Sequence, residues 1–330
     1  MKLAAATVRG VSLLDGDVVR TTLENDVRSL VLSAGVLYAG TQGDGVYCSD
    51  DSGEVWRRAG LEGGIVKALA VASDGTVYAG TKPPGLFVSH DGGGIWRELE
   101  SLAAMRRWFW WQPAEKPHTP YVDAVAVSPE ALLVGIEGGR ILRSTDDGET
   151  WTRLRRGVAA DCHALTFHPN ATSYAYEAAG FGASFSRDAG ATWTRCVDGL
   201  DGRYAMTLGV DPHDPERWYI GTAPMLRAHT ADPRAALYRG RLGEPWEKLV
   251  DGLDHLVRAI VFAGDTVYVG LGNGQILRSP DWNPLPSAFD GLRALAAVDR
   301  DAEGLADLMH PLVAETSEPF DQRSERDVLD

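Results

Sequence analysis

Cysteine is scarce in this chain: Cys48, Cys162 and Cys196 are the only three in 330 residues, an odd number with no CxxC spacing. That excludes a disulfide framework and a structural zinc, and leaves three reduced packing residues. Long apolar runs are missing as well. The N-terminal stretch MKLAAATVRGVSLLDGD is broken by Arg9 before a signal-peptide core is complete, so neither export nor a membrane span is expected and the predicted location is cytoplasmic. Positive charge is in deficit, with 32 Lys and Arg against 46 Asp and Glu for a net −14. Nucleic acid and anionic lipid both require a clustered basic surface, and neither is an expected partner.

Turn-forming residues, by contrast, are plentiful. Thirty-seven glycines and 17 prolines punctuate the chain often enough for many short strands. Four segments share the pattern Ser-x-Asp-x-Gly-x-x-Trp: SDDSGEVW from Ser49, SHDGGGIW from Ser89, STDDGETW from Ser144 and SRDAGATW from Ser186. Their spacings of 40, 55 and 42 residues are those of propeller blades, the longer one carrying an insertion. In such a turn Asp51, Asp91, Asp146 and Asp188 accept backbone N–H groups and the glycine takes a positive φ. Trp56, Trp96, Trp151 and Trp193 then bury their rings between neighbouring sheets. These residues resemble the Asp-box, or BNR, repeat of sialidases, sortilin-type receptors and photosystem-assembly propellers. The resemblance implies the fold and is nearly silent about activity.

Each repeat carries two further strands before the box, best seen in VKALAV, TVYAGT and GLFVSHDGGGIWREL. Blades are predicted at 27–63, 66–103, 122–157, 162–200, 204–253 and 256–290. What remains is a lone first strand at 292–298 and three strands without a first one at 3–22. Joining them closes a seventh blade from both termini, giving an all-β, seven-bladed propeller over 1–298 without free inner edges. Insertions are expected at 104–121 and 223–236. The tail, 299–330, holds ten Asp/Glu and three Arg. It is expected to form a short helix through Leu305, Leu308, Met309 and Leu312 or to be disordered.

Loops on a rigid scaffold are where function concentrates, and both insertions are predicted on the face opposite the box turns. The first contains RRWFWWQPAEKPHTPY, whose Trp108, Trp110, Trp111 and His118 are candidate ligand contacts, either as a lid or as a hydrophobic plug. Aligning the inner strands places Arg28, Lys67, Asp123, His163, Met206, Arg258 and Arg293 at one level of the channel. Arg258, Arg293, Arg28 and Lys67 are contiguous through the closure and predict a basic arc suited to carboxylate or phosphate. Asp123 and His163 stand opposite, with Tyr204 and Tyr121 as wall residues. The competing reading is that these charges simply pair with neighbouring carboxylates.

Two functions follow. The chain looks like the prokaryotic BNR-like propellers often labelled glycosyl hydrolases. A sialidase-like enzyme would use an arginine triad from Arg28, Arg258 and Arg293, a Tyr204 or Tyr121 nucleophile with Glu137, and Asp123 or Asp161 as acid. The arginine motif near the N-terminus of sialidases is absent here, and the blade number differs from their six. The favoured reading is therefore a monomeric binding or assembly module, taking a protein partner or a small anionic or glycan ligand, with no cofactor. His118 and His163 lack any ligand spacing, and no metal is expected.

Overall fold

Apolar residues alternate with polar ones over strands too short to bury two faces alone, and the chain resolves this by stacking seven four-stranded antiparallel sheets around a channel. This computed structural model describes residues 2–108 and 120–298, with residues 106–108 given by their backbone. The inner strands are Val27–Ser33, Ile65–Val71, Val122–Val127, Cys162–Phe167, Tyr204–Val210, Val257–Ala263 and Ala294–Ala297, numbered here as blades 1 to 7. Blade 7 is ordered Ala294–Ala297, Lys2–Ala6, Gly10–Asp15, Val18–Glu24, with Leu3 opposite Ala297 and Ala6 opposite Ala294. The termini thus close the ring as the sequence predicts.

Neighbouring blades meet through one recurrent contact. The second strand of a blade carries a glycine, and the first inner-strand residues of the next blade lie on it. A Cβ at Gly40 would come within 2.6 Å of Val66, at Gly80 within 2.3 Å of Val122, at Gly135 within 2.7 Å of Cys162 Sγ, and at Gly221 within 2.1 Å of Val257. Val66, Val122, Cys162 and Val257 are fully buried in consequence. These glycines are required by a close approach of sheets and not by a turn.

The four Ser-x-Asp-x-Gly-x-x-Trp turns share one hydrogen-bond network. Each serine hydroxyl donates to the Asp carboxylate at 2.7 Å and accepts the glycine N–H at 2.8–2.9 Å. Thr150 adds its hydroxyl and N–H to Asp146, whose carboxyl is held down at about 2 by those donors. Three of the four tryptophans reach beyond their own blade, Trp56 Nε1 to Thr22 Oγ1 (3.1 Å), Trp96 Nε1 to Ala59 O (2.7 Å) and Trp151 Nε1 to Ser101 Oγ (2.9 Å), while Trp193 Nε1 bonds Gly190 O in its own turn. Blade 5 has lost the turn sequence but keeps such a bond beyond the blade, with Trp246 Nε1 donating to Cys196 O at 3.1 Å.

The link between blades 2 and 3 departs from expectation. It opens with a helix, α1 (Glu100–Trp108), where a loop was predicted. Leu99 and Leu102 are buried between the blades, and Ser101 donates to Gly148 O in the next box turn. The link therefore starts beside a box turn, and not wholly on the opposite face, before delivering Tyr121 to the channel mouth. Trp108 ends the helix; Trp110, Trp111, His118 and the tail 299–330 lie outside the described residues. At the other end of the channel the inner strands of blades 1 to 4 line an open cavity of about 530 Å³, with Leu30, Leu69, Val125, Leu165 and Phe167 beside the polar Ser33, Ser128 and His168.

Candidate functional site

Six inner strands break register at the same place. The ladder skips one residue between Val27 and Ser29, Val66 and Ala68, Val122 and Ala124, Cys162 and Ala164, Ala205 and Thr207, and Val257 and Ala259. The skipped residues are Arg28, Lys67, Asp123, His163, Met206 and Arg258. A bulge re-aims the side chain it carries, and here the residue before it is locked into the neighbouring blade while the bulged one turns to the channel. In blade 7, Arg293 occupies the same level just ahead of the strand, its N–H bonded to Ala6 O (2.9 Å). The seven aligned residues therefore form one ring.

On the basic side, Arg293 pairs with Asp26 and donates to Val27 O (3.2 Å), and Arg28 reaches the same carboxylate at 3.3 Å. Asp26 was not singled out in the sequence, although it lies two residues before a bulge. Arg28 Nε is buried without a hydrogen-bond partner. Among the described residues Arg258 makes neither a hydrogen bond nor an ion pair, and burial lowers its pKa. Lys67 lies over the Tyr121 ring at 4.4 Å, joined by Lys82 at 5.2 Å. Burial depresses the Lys67 ammonium, Asp123 opposes, and Arg28, Lys82 and Arg293 depress it further. One carboxylate, Asp26, is shared between two arginines, so pairing does not neutralise this arc.

Across the ring, His163 is fixed from both nitrogens. Nδ1 lies 2.7 Å from Ala205 O and Nε2 3.1 Å from Asp161 Oδ2. Both neighbours are acceptors, an arrangement that favours the doubly protonated ring. Burial works against that charge, but the Asp161 hydrogen bond and charge, the Ala205 carbonyl and Asp123 together outweigh it and the His163 pKa is raised. In its protonated form His163 adds a fifth cation to the ring. Asp161, bonded to His163, is held below the ordinary carboxylate range. Asp123 is half-buried at the channel, and desolvation, opposed by Lys67 and His163, lifts its carboxyl to about 6.

The two tyrosines separate. Tyr121, not Tyr204, partners Glu137: its phenol bonds that carboxylate and its carbonyl accepts the Glu137 N–H at 3.1 Å. Burial and the surrounding carboxylates push the Tyr121 pKa far up. Tyr204 packs against His163 (4.9 Å between ring centres) and edge-on to His229 (5.0 Å), and burial lifts its phenol to about 12. His229 belongs to the 223–236 insertion and carried no sequence signal. Among the described residues no cluster of three or more His, Cys, Asp or Glu is arranged to hold a metal.

Neither a family profile nor any curated protein matches the chain. Solved structures resemble it in fold. The GH74 xyloglucanase from Xanthomonas campestris is 18% identical with a TM-score of 0.61, over 90% of this chain and 52% of the enzyme. YCF48 from Cyanidioschyzon merolae is 15% identical with a TM-score of 0.54, over 79% of this chain and 84% of that one. A structure of YCF48 bound to D1 peptide gives 13% identity and a TM-score of 0.53, over 81% and 87%. The chain spans 37% of the length of an ancestral GH74 enzyme and about half of the xyloglucanase, so it is much shorter than either. At these identities the likeness is one of architecture, and the chain is a seven-bladed β-propeller.

Proposed function

We propose that the protein is a binding module of the Asp-box type that takes a carboxylate or phosphate group of a ligand or partner at its channel mouth. The observation that carries this is Arg258: a guanidinium stripped of much of its water by burial, with no hydrogen-bond or ion-pair partner among the described residues, on the same ring as Arg293 and as Arg28 with its unpartnered Nε. A carboxylate or phosphate would supply the charged, bidentate acceptor that Arg258 lacks. The YCF48 structure with a bound peptide supports a protein partner as the source of that group.

Citrate or inorganic phosphate should raise the melting temperature of the protein by several degrees at a hundredfold excess over Kd. Arg28→Ala with Arg258→Ala should remove the rise. Should citrate, phosphate and sialic acid all leave the wild-type transition unmoved, the anion site does not exist.

A second reading has one observation in its favour. Asp123 lifted to about 6 and Asp161 held low form a pair of carboxyls with separated proton affinities, the pattern of an acid and a base, and GH74 enzymes share the fold. Against a tyrosine nucleophile, both Tyr121 and Tyr204 are held protonated by burial. Turnover of sialosides or xyloglucan oligosaccharides that Asp123→Asn abolishes would establish the hydrolase.

A further inference from the structure

The mouth is cationic mainly on blades 1, 2, 6 and 7, and the rim on blades 4 and 5 is of another kind. The loops joining the second and third strands of those blades expose Phe181, at 50%, with Met225 at 39% and Leu226 at 94%. Each loop is tied to the mouth by a short chain of contacts. Gly180, next to Phe181, donates its N–H to Asp161 O at 2.9 Å, and the Asp161 carboxylate holds His163. Leu226 lies three residues from His229, whose ring packs on Tyr204 and through it on His163.

The exposure of Leu226 follows from how its loop is folded. The N–H groups of Arg227 and Ala228 close onto Pro224 O at 2.9 and 3.0 Å, and Arg227 pairs with Asp232 at 3.1 Å. That turn directs Ala228 inward, where it is buried against Tyr204 and Leu256, and sends Leu226 outward. A single exposed leucine is unremarkable, but three large apolar side chains on adjacent loops bordering a basic pocket form a surface of the composition that marks recognition sites.

We propose that this rim receives the apolar side chains of a peptide segment from a partner protein whose carboxylate occupies the basic arc. This rests on the anion-binding reading above and specifies its ligand. Charge complementarity with Arg28, Lys67, Arg258 and Arg293 selects an acidic segment. The placement of the apolar rim on the blades opposite that arc selects a chain long enough to touch both, since a small anion held by Arg258 leaves Phe181 and Leu226 uncovered.

The test uses fluorescence anisotropy with two labelled ten-residue peptides bearing the same four glutamates, one filled out with Leu and Phe and the other with Gly and Ser. The full chain should bind the apolar-acidic peptide roughly tenfold tighter or more. Phe181→Ser with Leu226→Ser should bring that affinity down to the level of the Gly/Ser peptide while leaving the Gly/Ser peptide unaffected, and Arg258→Ala should weaken both. Equal binding of the two peptides, unchanged in the double variant, overturns the rim and leaves the anion site standing. If neither peptide binds but citrate still stabilises the protein, the peptide inference is likewise overturned. Failure of both peptides and citrate removes the anion site itself.

Discussion

Strands that carry charges to the mouth also build the other end of the channel, and the two ends differ in charge, the far cavity of blades 1 to 4 being lined without Asp, Glu, Lys or Arg. At the mouth, a bulge in each of six strands points Arg28, Lys67, Asp123, His163, Met206 and Arg258 toward the axis. A few residues further along, ordinary alternation has resumed, and Leu30, Leu69, Val125 and Leu165 line the cavity at the other end. The bulge is the difference. It lets a strand present a charge to a water-accessible opening while the residue before it stays buried between blades, a combination that regular alternation does not provide.

The comparison can be broken most severely by moving a charge from one end to the other. Leu165→Asp places a carboxylate where no cation is at hand, and should lower stability by about 4 kcal/mol or prevent folding, as read by chemical denaturation. A charge inside a blade sharpens the point. Glu177 is wholly buried in the second strand of blade 4, accepting the Ala159 N–H at 3.2 Å, and desolvation lifts its carboxyl to about 7. A raised carboxyl pKa means the folded state favours the protonated form, so stability is lost as pH rises from the unfolded value toward 7. Glu177→Gln should therefore gain on the wild type with rising pH, by up to about 3 kcal/mol at pH 8, and match it near pH 4. A constant difference across that range would show that Glu177 does not titrate there.

Smaller effects test what holds the two ends in register. Trp96→Phe removes the indole donor to Ala59 O and Gly93 O and should cost about 1–2 kcal/mol in denaturant unfolding without altering the mouth. Smallest is the change in ligand affinity with pH. As pH falls through about 6, Asp123 becomes neutral and the ring more positive, so sulfate, whose own charge is constant over this range, should bind roughly three- to tenfold tighter, corresponding to about 1 kcal/mol of Coulomb energy. Titration calorimetry at pH 5 and 8 measures it, and Asp123→Asn should remove that part of the dependence.

Much of this was legible beforehand. The turn motif and its spacing located blades 1 to 4, and the two incomplete ends pointed to a shared seventh blade, which the pairing of Lys2–Ala6 with Ala294–Ala297 completes. The ring of aligned residues was also readable, since each stands just before the small-residue position of its inner strand. Helix α1 was missed because Trp, Phe and Pro downstream obscured a short helical start whose anchors, Leu99, Leu102 and Ser101, bind to the next blade. The packing of Tyr204 on His163 joins blades 4 and 5 across the sheet edges, where no sequence period reaches, whereas Tyr121 meets Glu137 within blade 3, at the ends of its first two paired strands.

By itself the sequence determined the number of strands, the blade order and which residues lie at the channel level, because these follow from local turn chemistry and a repeating length. Only the tertiary structure decided which of those charges are paired. Asp26 serves both Arg28 and Arg293, Asp161 serves His163, and Arg258 is left with no such partner among the described residues. Pairing depends on distances between residues brought together by ring closure, up to 267 positions apart in the chain, and on the water each group gives up in getting there.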